Sequence, residues 1–99
     1  MYAMTGKLIT QKGRRDELVT ILREAAEIVG EISECKMYVV CEDTSNENAV
    51  WVFEAWDHRQ AHDDSLKNER TRNLISQAKP LLAAAPDGAE LSVIGGHGI

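Results

Sequence analysis

The chain has 99 residues, 43% of them hydrophobic and 27% charged, with a formal net charge of −5. That balance describes one soluble globular domain, residues 1–99 with a core over about 2–95, and it excludes disorder. No apolar run is long enough to span a bilayer, and the lack of a dense Lys/Arg block argues against nucleic acid or anionic membrane as a partner, so a cytoplasmic protein is expected.

Residues 2–10 read as a first strand, with Leu8 and Ile9 its clearest apolar pair and Gly13 closing the turn behind it. Over residues 15–29, Leu18, Ile21, Leu22, Ala25, Ile28 and Val29 recur at the spacing of a helix with one buried stripe. Asp16 and Glu17 suit the positive end of its dipole, and Gly30 provides the stop. Residues 35–42 form a second strand carrying both cysteines. Cys35 and Cys41 are expected on one face, roughly 20 Å apart at about 3.3 Å per residue. A disulfide needs Cα atoms within about 7 Å, so both read as reduced, small buried hydrophobes.

The polar link 43–48 turns the second strand into a third that ends at Trp56. Side chains alternate across a pleat, so Val50, Val52, Glu54 and Trp56 share one face while Trp51, Phe53 and Ala55 share the other. A carboxylate therefore lies among apolar neighbours. Asp57 reads as a helix N-cap with Gln60 three residues on, starting a short helix that carries His58 and His62 and ends near Leu66. A third helix over 68–79 buries Leu74, Ile75 and Ala78 before Pro80 breaks it. A crossing loop, LLAAAPDG, leads to a last strand at 89–95 and a GGHGI tail.

Strand, helix, strand, strand, helices, strand is the split βαβ order of an α+β ferredoxin-like domain, a four-stranded antiparallel sheet with helices on one face. Both faces of the central hairpin carry apolar side chains, so the uncovered face calls for a second sheet. An identical chain across a two-fold axis supplies it, and a homodimer closing an α+β barrel is expected.

Strand end, turn and helix start bring Glu54, Trp56 and His62 together. An imidazole titrates near neutral pH, so His62 suits a general base; a hydrogen-bonded core histidine fits the same position, and Glu54 and Trp56 equally suit structural roles. His58 and His62 lie one helical turn apart, but there is no HExxH and no third ligand, so no metal is expected. No nucleotide-binding motif is present.

With Phe53-Glu54-Ala55-Trp56 closing the third strand and Ala61-His62 on the next helix, the chain resembles the antibiotic biosynthesis monooxygenase family. These are dimeric α+β barrel proteins that include cofactor-independent quinol monooxygenases, and the likeness in element order runs from Tyr2 through Gly95. The resemblance implies insertion of an oxygen atom from O₂ into a small quinol-like or polyketide-like aromatic substrate, with no metal, flavin or other cofactor. It makes His62 the base, Trp56 the wall of the reaction cage, and Glu54 the group that orients His62 or a substrate hydroxyl. Asn68 and Arg72 become substrate-binding donors to an anionic intermediate. The family also holds haem-degrading oxygenases and isomerases, and a non-catalytic dimeric ligand-binding or stress-response protein is the alternative outside enzymology. The haem branch uses an asparagine in the first strand, which this chain lacks, and position 68 is Asn where many relatives carry a second histidine.

Overall fold

A computed structural model describes residues 1–99. The chain runs β1 (Tyr2–Ile9), α1 (Arg15–Gly30), β2 (Cys35–Glu42), β3 (Ala49–Trp56), α2 (Arg59–Ser65), α3 (Glu69–Ala78), a 3₁₀ turn (Lys79–Leu81) and β4 (Asp87–Ser92). The strands form one antiparallel sheet in the order β2-β3-β1-β4 with the helices on one face, the expected ferredoxin-like α+β arrangement.

Local chemistry accounts for the joints. Gly13 takes φ 78°, a region that favours glycine, and turns β1 into α1. The apolar stripe of α1 buries Leu18, Ile28 and Val29 and packs on β2 and α3. Gly30 is the last helical residue, and Glu31 and Ile32 lead out, their N–H groups donating to the Ile28 and Val29 carbonyls. One carboxylate closes the β2–β3 turn. Asp43 Oδ1 accepts from the backbone of Ser45 and Asn46 at 2.8 and 3.1 Å, and Oδ2 accepts from the Trp51 indole at 2.9 Å. The Trp51 bond, followed by those backbone bonds, holds Asp43 below the usual carboxylate range.

The β2–β3 ladder keeps one register from Glu42↔Val50 to Met37↔Ala55, then slips so that Cys35 pairs with Trp56. Lys36 is the extra residue of a bulge. Cys35 therefore turns to the helix side and packs with Val29 and Trp56, whereas Cys41, opposite Trp51, stays on the other face. The cysteines do not share a face as expected, because the strict alternation behind that expectation fails at Lys36. The freed Lys36 ammonium donates to the Ser33 carbonyl at 2.9 Å and lies 3.6 Å from Asp57.

Three details also differ from expectation. His58, not Asp57, caps α2, its Nδ1 accepting the Ala61 N–H at 3.2 Å. In α3 the buried residues are Thr71, Leu74 and Ala78, while Ile75 is half-exposed; α3 packs mainly on α1, and 71, 74 and 78 form its buried stripe. β4 starts at Asp87 rather than Ala89 and ends at Ser92. Its approach to β1 depends on Gly88, where a Cβ would come within 2.6 Å of the Thr5 carbonyl oxygen.

The core lies mainly between sheet and helices, in two clusters. Leu18, Val50, Ala78 and Leu81 form one, and Val29, Trp56 and Ala61 the other. On the opposite face Ile9, Val39, Phe53 and Leu91 are 37%, 42%, 41% and 51% exposed, and nothing in the chain covers them. No helix is long and apolar enough to cross a membrane.

Candidate functional site

The two clusters are separated by a cavity of about 110 Å³ between α1, α3 and the sheet, and nine of its twelve lining residues are hydrophobic. Glu54 enters it from β3 and Tyr38 from β2, the two being cross-strand partners; Ser65 comes from the end of α2 and Thr71 from α3. Leu66 and Ile75 also line it and are partly exposed, so they form its outer wall. A dry cavity of about 150 Å³ admits benzene. At about 110 Å³ this cavity is smaller than that, so even a single substituted ring must displace part of the outer wall. A larger hollow beside the β2–β3 turn, with Arg15, Asp43 and Glu47 on its walls, has no hydrophobic lining and lies open to water, so it offers no shelter for chemistry.

Glu54 is the polar centre. Its side chain is 14% exposed, and its Oε1 accepts the Trp56 indole N–H at 3.1 Å. His62 Nε2 stands 3.9 Å from the same oxygen, just beyond hydrogen-bonding reach. Burial pushes the Glu54 carboxyl above the usual carboxylate range, and the Trp56 bond and the nearby imidazole only partly offset it. Burial, with the charge of Glu54 adding to it, likewise raises the Tyr38 phenol, which stays protonated at neutral pH.

His62 is 5% exposed, its ring lying between Tyr2 at 5.3 Å and, edge-on, Trp56 at 5.8 Å between centroids. Its Nδ1 lies 3.0 Å from Asp63 Oδ1, and that bond holds Asp63 below the usual carboxylate range. An ionised carboxylate can only accept, so Nδ1 carries a proton and Nε2 is the nitrogen turned to Glu54. The result is a line of carboxylate, imidazole and buried carboxylate, with Glu54 at the cavity end. Such a group can accept a proton from a ligand hydroxyl where little water competes.

Glu54, Trp56 and His62 do come together, but only Glu54 reaches the cavity wall; the indole and the imidazole stand behind its carboxylate. Neither the imidazole expected as the base nor the indole expected as the cage wall lines the hollow, the imidazole because its ring is packed between Tyr2 and Trp56 and tied to Asp63. Asn68 is exposed and caps α3, its Oδ1 accepting the Arg70 N–H at 2.9 Å. Arg72 is exposed on α3, and neither it nor Asn68 lines the cavity. His58 Nδ1 is occupied by its capping bond.

Tyr38 and Thr71 were not singled out from sequence. Counting back from the turn would have found Tyr38, since Glu42↔Val50 places residue 38 opposite 54. Thr71 lies three residues before Leu74 on the buried stripe.

The sequence model for antibiotic biosynthesis monooxygenase matches residues 1–76. Comparison with curated proteins gives no match. Among solved structures the chain is similar to a provisionally named antibiotic biosynthesis monooxygenase from Chloroflexus aurantiacus J-10-fl, with 34% identity over 97% of this chain and 95% of that one and a TM-score of 0.87. Similarly named proteins from Nitrosomonas europaea and Caulobacter crescentus CB15 share the fold at TM-scores of 0.90 and 0.88, with 9% and 17% identity. The former alignment covers 96% of this chain and 100% of the other, the latter 95% and 90%. By sequence match over most of its length, and by a fold that agrees with it, this chain belongs to the antibiotic biosynthesis monooxygenase family.

Proposed function

We propose that the protein is a cofactor-independent monooxygenase that transfers one oxygen atom of O₂ to a small dihydroxy-aromatic of the quinol or polyketide type. One observation carries the reading: an apolar cavity holds a single buried carboxylate, Glu54, whose tendency to bind a proton is raised and which is backed by an imidazole. The substrate hydroxyl gives its proton to Glu54, and a small rotation of the carboxyl brings it within reach of His62 Nε2, which stores it. The resulting phenolate is electron-rich enough to pass one electron to O₂. The radical pair combines at ring carbon, and the hydroperoxide loses water to leave a new carbon–oxygen bond. Quinol plus O₂ thus gives hydroxyquinone plus water, with all the electrons coming from the substrate. The apolar walls keep water from the radical pair, and Trp56 holds the carboxylate in place.

The exposed sheet face carrying Phe53, Val39 and Leu91 supports assembly with a second copy, whose sheet would cover it. The oxygenase reading is tested by anaerobic titration with simple hydroquinones followed by admission of ¹⁸O₂. Turnover with one labelled atom in the product, insensitive to chelators and reduced about 10²–10⁴-fold in Glu54→Gln or His62→Ala, supports it. Tight binding without oxidation favours a non-catalytic ligand-binding protein instead.

A further inference from the structure

The polar lining of the cavity is not fully used by this reaction. Glu54 Oε1 accepts from Trp56, and Ser65 Oγ donates to the His62 carbonyl at 2.6 Å. Thr71 stands apart, for it is 7% exposed and its Oγ1 is sealed from solvent with no hydrogen-bond partner. A helical threonine ordinarily satisfies its hydroxyl on a carbonyl one turn earlier. Thr71 has none within its helix, because α3 begins at Glu69 and Asn68 before it is extended, at φ −63° and ψ 130°. The Asn68 carbonyl, at the helix cap, accepts the Arg72 N–H at 2.9 Å and nothing from the Thr71 hydroxyl. Burying such a group unpaired is unfavourable, and natural proteins seldom leave one without a reason.

We infer that Thr71 is a second polar anchor of the cavity, and that the ligand is a small aromatic bearing two oxygen functions. One is an acidic hydroxyl facing Glu54 from the sheet, and the other is a hydroxyl or carbonyl that meets Thr71 Oγ1 from α3. The identity of the ring chemistry rests on the oxygenase reading; the need for a second oxygen rests on Thr71 alone. A threonine hydroxyl both donates and accepts. It can therefore accept from the hydroxyl of a reduced ring and donate to the carbonyl of the oxidised one, keeping its hold as the ligand changes oxidation state.

The test is anaerobic calorimetric titration of hydroquinone and of 4-methylphenol, in which a methyl replaces the second hydroxyl, into wild type, Thr71→Val and Thr71→Ser. Wild type is expected to favour hydroquinone. Thr71→Val, which keeps the shape, loses roughly tenfold in hydroquinone affinity and nothing for 4-methylphenol, while Thr71→Ser retains the preference. A melting curve of Thr71→Val no lower than wild type excludes unfolding as the cause. Equal hydroquinone binding by wild type and Thr71→Val overturns the anchor, as do parallel losses for both ligands or no binding of either by wild type. Admission of O₂ separates the two ideas. Hydroquinone bound through Thr71 but never oxidised removes the oxygenase and keeps the anchor, whereas unchanged turnover in Thr71→Val removes the anchor and keeps the oxygenase.

Discussion

Replacing Trp56 with Phe probes the bond that fixes the buried carboxylate. Trp56 is fully buried, and its indole N–H is the donor to Glu54 at 3.1 Å. A hydrogen bond to a charged group contributes about 1.5–3 kcal/mol. The smaller ring also forfeits two buried carbons, about 1.5 kcal/mol at about 0.8 kcal/mol each. Together the penalty is about 3–4.5 kcal/mol once Glu54 is ionised, a large share of the stability of a domain this size. Its pH dependence identifies the source. A carboxyl whose folded pKa is raised holds its proton more tightly in the folded state, so its contribution is most favourable in acid and declines as pH rises through the ordinary glutamate range toward the raised value. Loss of the indole donor pushes that value up further. The Trp56→Phe penalty should therefore be smallest in acid, where Glu54 is protonated in both states and the indole bonds only a neutral carboxyl, and should grow as pH rises and Glu54 ionises. Urea unfolding at fixed protein concentration, for Trp56→Phe, Glu54→Gln and the double variant, closes the cycle. In the Glu54→Gln background the penalty should shrink and lose its pH dependence. A penalty equal in both backgrounds and at both pH values would refute the reasoning, leaving Trp56 as packing alone.

Gly88→Ala drives a Cβ to within 2.6 Å of the Thr5 carbonyl oxygen and should destabilise the fold by about 1–3 kcal/mol in thermal melts. Gly95→Ala, which meets nothing within 4 Å, is the matched control and should melt as wild type does. Phe53→Asp puts a charge at the middle of the open apolar sheet face; if that face joins two copies, sedimentation should change from dimer in wild type to monomer in the variant, and a wild-type monomer would remove the pairing. Leu66→Ala trims the outer wall of the cavity at a residue that is 44% exposed, so stability should fall by less than about 1 kcal/mol while affinity for two-ring aromatics rises in titrations. Unaltered size selection would show that entry lies elsewhere.

Periodic features were readable without coordinates because they repeat. Leu18 to Val29 announces α1 through its spacing, and Val50, Val52, Glu54 and Trp56 alternate onto one face as expected. The antiparallel order follows from the sequence of elements and the polar turn at 43–48. Single events were not readable. Nothing about Lys36 distinguishes a bulged lysine from a paired one, so the face of Cys35 could not be known. His58 took the cap from Asp57 although both can accept an N–H, and the choice depends on the extended backbone at 58. At the site, adjacency of Glu54, Trp56 and His62 was legible from the junction of β3 and α2. Which of them meets the cavity was not, because a void is defined by where Leu22, Leu74 and Ile75 stop, and side-chain reach has no period.

The slip at Lys36 also governs how this chain can tolerate changes of length. Deleting that lysine would leave Cys35 opposite Trp56 and Met37 opposite Ala55, the loss being its contacts to Ser33 and Asp57. An insertion or deletion between Met37 and Glu42 would instead exchange the two sides of the strand, turning Tyr38 away from the cavity and Val39 into it. Related sequences should accordingly vary by a residue at the entrance to this strand and keep a constant count between Met37 and the turn.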